Sequence, residues 1–236
     1  MSDLAEDLCF RPEDFSGKAR LFPLPNAVLF PHVLQPLHIF EPRYRELIAE
    51  ALAGDKLVAM GVLAPGWEPD YEGRPPLAPV ACLGRIMTCH SLEGGKYNIL
   101  LVGLKRVRLV RELPPTKSFR EAEVEVFDDL YPPKGRARRQ ELQRRLLDEF
   151  KRLLPKSGPV HEPLEQLLAA EVPLGMFTDI VAYTINFGMQ IKQQLLAERN
   201  VDRRAATLLA ALAGMTQGEL TRQPRAGSFP PKFSEN

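Results

Sequence analysis

Residues 21–54 read LFPLPNAVLFPHVLQPLHIFEPRYRELIAEALAG, an apolar stretch crossed by Pro23, Pro25, Pro31, Pro36 and Pro42. Proline lacks an amide N–H and fixes φ, so it is excluded from helix interiors and from the middle of a sheet. Pro23, Pro25, Pro31 and Pro36 therefore fit the ends of short apolar strands and the corners between them, in a closed or half-closed β structure with sharp turns. Pro42 is the exception. It suits the first position of a helix, where its missing N–H has no partner to lose. Tyr44, Leu47, Ile48, Ala51 and Leu52 then follow at helical spacing on one apolar face, and Gly54 is expected as a left-handed stop.

Strand-like runs continue to residue 127: KLVAMGVLAP, VACLGRIMTCHSL, KYNILLVGLKRVRLV and FREAEVEVF. EGGK joins the second to the third, and Gly94-Gly95 can take the positive φ values of a tight hairpin. Gly103, inside the third run, predicts a bulge or bend. Val124 and Val126 alternate with Glu123 and Glu125, as in a strand with one wet face. DDLYPPKG, residues 128–135, marks a boundary, after which the pattern turns helical. Leu142, Leu146, Phe150, Leu153 and Leu154 form one stripe, and further helices are expected over Pro163–Ala170, Leu174–Phe187, Met189–Glu198 and Val201–Ala213. The tail from about Gly218 has no periodicity and reads as disordered.

Composition narrows the function classes. Lys plus Arg number 31 against 30 Asp plus Glu, so no global field holds a nucleic acid or a membrane. The acidic N-terminus lacks the basic and apolar regions of a secretory signal, no segment reaches the length of a membrane span, and three cysteines make no disulfide framework. The expectation is a reduced, cytoplasmic protein.

Few residues offer chemistry. His32 and His38 lack a third ligand at metal spacing and read as histidines filling a sheet corner. Cys82, Cys89 and His90 fall on opposing strand faces. His161 opens HEPLE, which has Glu165 where H-E-x-x-H needs its second histidine. No phosphate loop, G-x-S-x-G or S-x-x-K is present, and SGKAR lacks the upstream glycine and the hydroxyl residue of a phosphate loop. Neither a cofactor nor a metal is expected. Two surfaces remain. Trp67 and Tyr71 lie in a long Pro/Gly loop, either as recognition anchors or as pins holding that loop to the sheet. Lys134, Arg136, Arg138, Arg139, Arg144, Arg145, Lys151 and Arg152 crowd one helix against Glu141, Asp148 and Glu149. This basic run is either an anion-binding patch built on Arg138, Arg139, Arg144 and Arg145 or, as the near-neutral pI favours, a solvated face with pairs such as Glu141–Arg145.

Three segments, LFPLPNAVLFPHVLQPLHIFEPRYRELIAEAL, LGRIMTCHSLEGGKYNILLVGLKRVRLV and LGMFTDIVAYTINFGMQIKQQLLAERNVDRRAATLLAAL, give the chain a resemblance to the N-terminal, substrate-recognition domain of the ATP-dependent Lon protease in standalone form. The resemblance covers about residues 19–215. It implies an α+β fold: a six-stranded PUA-like β pseudo-barrel with a short helix, then a helical bundle. It divides the chain into an N-terminal extension (1–18), a β-rich lobe (19–130), a helical lobe (131–215) and a tail (216–236). It also implies a non-catalytic module, without ATPase or protease chemistry, that binds unfolded polypeptide or a protein partner, possibly within a protease system. A PUA-like binder of nucleic acid or a small ligand is the competing expectation.

Overall fold

The computed structural model describes residues 10–153 and 172–215. Cys9, His161, the helix expected at 163–170 and the tail lie outside them. Six strands form one sheet: β1 (Lys18–Leu24), β2 (Leu34–Ile39), β3 (Leu57–Val62), β4 (Val80–Leu92), β5 (Lys96–Glu112) and β6 (Arg120–Phe127). Helix α1 (Pro42–Ala53) interrupts them, and α2 (Arg136–Leu153), α3 (Leu174–Thr184), α4 (Met189–Ala197) and α5 (Val201–Ala213) follow. This is the expected α+β class.

The strand order is β2-β5-β4-β3-β1-β6, and a further β5–β6 pairing closes it. β1, β3, β4, β5 and β6 therefore make a ring, with β2 added outside it. The β1–β3 pair is parallel and the others are antiparallel. Inside the ring sit Ala19, Leu21, Leu57, Ala59, Ala81, Leu83, Val102, Leu104, Val107, Ala122 and Val124. Each strand contributes at a spacing of two except β5, which steps by three from Leu104 to Val107. That slip is the bulge at Gly103: Gly84 pairs with Gly103 while its neighbour Leu83 pairs with Lys105.

The prolines sit where no ladder bond is lost. β6 pairs with β1 only along Lys18–Leu21, so Pro23 lies beyond it. Pro36 is inside β2 rather than at a corner, and β2 tolerates it as an edge strand paired only with β5. Tyr44 of α1 covers the end of β1, donating from its hydroxyl to the Pro23 carbonyl at 3.1 Å and meeting the Phe22 ring edge-on. Gly54 is not the left-handed stop of α1: its φ is −120°, and Lys56 takes the positive φ of 59° instead. The Lys56 amide donates to the Ala51 carbonyl there. The EGGK turn forms as expected, with φ of 72° at Gly94 and 70° at Gly95. Phe10 and Phe15, in the expected N-terminal extension, pack against the ring core.

Contacts divide the chain into two compact units, residues 1–130 with 189–199, and residues 131–188 with 200–236. A single cut after Leu130 therefore does not separate them, because α4 belongs with the β strands. Within the second unit α2, α3 and α5 bury Leu142, Leu146, Phe150, Leu153, Phe177, Val181, Ala205, Leu208 and Leu212. Asn200 caps α5, accepting from the Asp202 and Arg203 amides. Arg204 of α5 is fully buried; its Nε donates to Thr178 Oγ1 at 2.8 Å and lies 3.6 Å from the equally buried Asp179 carboxylate on α3.

Two contrasts test this reading. A Cβ on Gly103 would lie 2.0 Å from the Phe30 carbonyl oxygen, whereas one on Gly94 would meet nothing. Gly103→Ala should cost about 3 kcal/mol by overpacking against backbone, and Gly94→Ala about 1 kcal/mol for its left-handed conformation; equal shifts in urea midpoint would refute the close approach. Asp179→Ala should cost about 3–5 kcal/mol by stranding a buried guanidinium. Glu141→Ala, which breaks the exposed pair with Arg144, should cost less than about 1 kcal/mol on the same urea scale.

Candidate recognition surface

The loop between β3 and β4, residues 63–79, is the longest irregular segment of the first unit that the structure describes. Its base is closed by a Leu63–Leu77 bridge and by the Ala64 amide on the Pro76 carbonyl. Arg120 of β6 is buried beside it, donates to the Pro75 carbonyl at 2.8 Å and grips Glu112 with Nε and Nη2.

Tyr71 is held inside rather than displayed. It is 4% exposed, and its hydroxyl donates to Glu41 Oε1 at 2.9 Å. Arg43 completes the cluster: Nε and Nη2 bind Glu41 Oε2, and the guanidinium lies 5.0 Å from the Tyr71 ring centre. Glu41 directly precedes α1, so the helix start carries the carboxylate that fastens the loop. Burial, with neighbouring Tyr44 and Glu41, pushes the Tyr71 phenol far up from its ordinary value, against the opposing Arg43 cation. Burial raises Tyr44 likewise. Tyr71 is thus engaged with Glu41 at the base of the loop and exposes little of its ring. Trp67 is half-buried and stands edge-on to Tyr71, with 5.5 Å between ring centres. Its neighbours Glu68, Pro69, Asp70 and Glu72 are exposed.

Part of the basic run on α2 is engaged by carboxylates. Arg139 is turned onto Asp202, with Nε 2.6 Å from Oδ1, and also donates to the Pro132 carbonyl. Arg144 forks onto Glu141, so the pair formed is at i,i+3 instead of the expected Glu141–Arg145. Arg152 pairs with Glu149 in the same way. Arg138 and Arg145 remain exposed, seven residues apart.

His32 occupies a turn at φ 67°, and His38 Nδ1 lies 2.7 Å from Asn98 Oδ1 across the β2–β5 pair. Cys82 is buried, and burial pushes the Cys89 thiol up, away from the reactive thiolate. Among the described residues no group of three or more His, Cys, Asp or Glu is placed to hold a metal ion, and no helix is long and apolar enough to cross a membrane. Glu41, Arg43, Arg106, Arg120 and Arg204 also position backbone and side chains here. Their signal is faint, since a lone arginine beside a strand or helix looks like any surface charge.

The family profile described as the ATP-dependent protease La (LON) substrate-binding domain matches residues 18–214. The chain belongs to this family. It is 25% identical to a Lon protease of Desulfosudis oleivorans over 185 residues, covering 78% of this chain and 22% of that one. It is 27% identical to the Lon protease of Roseiflexus castenholzii over 204 residues, covering 85% and 24%. The chain thus spans about a quarter of the length of the curated relatives it matches. The solved N-terminal domain of the Mycobacterium avium complex Lon protease superposes with a TM-score of 0.66 at 14% identity, covering 84% of this chain and all of that one. A Lon N-terminal domain protein from Xanthomonas campestris gives 0.56 at 21% identity, covering 82% and 97%. Both share the fold, and only the substrate-binding domain is matched.

The Tyr44 and Tyr71 phenols generate a pH prediction. Each holds its proton more tightly when folded than its ordinary value of 10.0, so the native state binds more protons above that pH. Stability should therefore be complete below pH 10 and fall as pH rises past it. In urea titrations from pH 8 to 11, Tyr71→Phe should show a shallower alkaline loss than the parent. A parent midpoint that does not move across that range contradicts the assignment.

Proposed function

We propose that this chain is a non-catalytic recognition module that binds extended or unfolded polypeptide, or a protein partner in a protease system, in the cytoplasm. Membership of the substrate-binding family over residues 18–214 carries the reading. The geometry supports it in one place. Trp67 rides on a loop fixed from below by Tyr71, Glu41 and Arg43, so its ring is offered on a rigid base and little side-chain freedom is lost on contact. Aromatic anchors of this kind concentrate binding energy in otherwise adaptable surfaces.

The competing nucleic-acid reading is weakened by the pairing of Arg139 with Asp202 and of Arg144 with Glu141, since a guanidinium already neutralised adds little to phosphate binding.

A titration at two salt concentrations, using a reduced and alkylated unfolded polypeptide and an RNA oligomer, tests the proposal. Polypeptide affinity should change little with salt, and Trp67→Ala should weaken it by about 2 kcal/mol. Reversing Arg138 and Arg145 to Glu should leave it unchanged. RNA binding that falls steeply with salt, together with no measurable polypeptide binding, overturns the reading.

A further inference from the structure

Helix α4 is the one helix of the first unit that comes from the C-terminal half of the chain, and both its ends lead back into the second unit. Its apolar hold is concentrated at the C-terminal end. Of its nine residues, Leu195 and Leu196 are buried, and Met189, Ile191, Lys192 and Gln193 are half-buried. Two polar bonds fix its C-terminal end: Arg106 of β5 donates from Nε to the Leu196 carbonyl at 2.9 Å, and the Leu130 amide donates to the Arg199 carbonyl at 2.8 Å. The first places a cation at the carbonyl end of a helix, where the backbone partial charge is negative. The N-terminal end follows Gly188, around which a Cβ would meet nothing.

The strands do not need α4 to be complete. The ring of β1, β3, β4, β5 and β6 closes on its own hydrogen bonds. Arg106, 3% exposed, also contacts Asp129 at 3.3 Å, so its charge keeps a partner when the helix carbonyl is withdrawn.

We propose that α4 is a detachable strap, released from the β strands as one cooperative segment while the five-strand ring stays closed. Local opening of this kind is expected where few apolar side chains hold an element and its partner is stable without it. Release uncovers the strip of surface under Leu195 and Leu196, while Arg106 keeps Asp129.

Native-state amide hydrogen exchange on the intact chain tests this. The helical amides at the C-terminal end of α4, Gln193–Ala197, should exchange at least about tenfold faster than those of Leu101–Val107 in β5. Leu195→Ala should speed α4 exchange by at least a further thirtyfold or so and leave β5 unchanged. If α4 and β5 exchange together in the parent chain, the helix opens only when the whole unit unfolds, and the proposal fails. The same holds if Leu195→Ala accelerates both equally. Because the parent measurement alone can overturn the strap, the test survives a variant that does not fold.

Discussion

Strand β5 must serve three neighbours with two edges. β4 takes one edge along most of its length. On the other, β2 pairs with Tyr97–Val102 and β6 with Arg106–Glu112. The handover falls at Gly103, where the His32 amide donates to the Gly103 carbonyl and the Gly103 amide to the Val33 carbonyl. Only a residue without a Cβ lets the 25–33 segment come this close, and the bulge there turns the later half of β5 inward to meet β6. Ring closure through β6 and the placement of β2 both depend on this handover. A sheet closed in this way exposes few unpaired edges, and the remaining edge strand, β2, carries Pro36 in its centre.

Arginine recurs as the fastener of irregular backbone. Arg120 holds the Pro75 carbonyl, Arg106 the Leu196 carbonyl, and Arg204 the Gly175 carbonyl. Each is at most 7% exposed, and each has a carboxylate within reach as well. A planar guanidinium with five donors can satisfy both at once, which a lysine cannot. Arg120 and Arg106 reach from strands and Arg204 from α5, so each buried cation ties its own element to a loop or helix end. The loop bearing Trp67 owes its fixed base to the same device, with Arg43 as the cation and Glu41 as the carboxylate.

Much of the architecture was legible because its causes are local. Pro42 starts a helix through its own missing N–H, Gly94-Gly95 makes a hairpin through its own φ freedom, and the leucine stripe of α2 declares its buried face. The recognition surface was harder to read because its causes are distant. Whether Tyr71 is an anchor or a pin depends on Glu41, 30 residues earlier. Arg139 looks like a free cation until Asp202, 63 residues later, is placed beside it. The pairing of Arg144 with Glu141 lay within one helical turn, and there the sequence named the acidic partner and missed only the register. Pro36 in mid-strand, against the expectation of a corner, shows the same limit: its tolerance comes from an edge position that local sequence does not encode.

The interrupted course of the chain bears on how the protein is made. The ribosome delivers residues from the N-terminus, so all six strands emerge before any of the second unit's helices. α4 appears only after α2 and α3, and α5 only after α4. The strands can close early, yet their final helix arrives in the middle of the other unit's assembly. That unit must in turn wait for α5 across an intervening segment that belongs elsewhere. Translation thus finishes the two units almost together, and a nascent chain stalled near residue 188 would hold a closed sheet lacking its last helix and a bundle lacking α5.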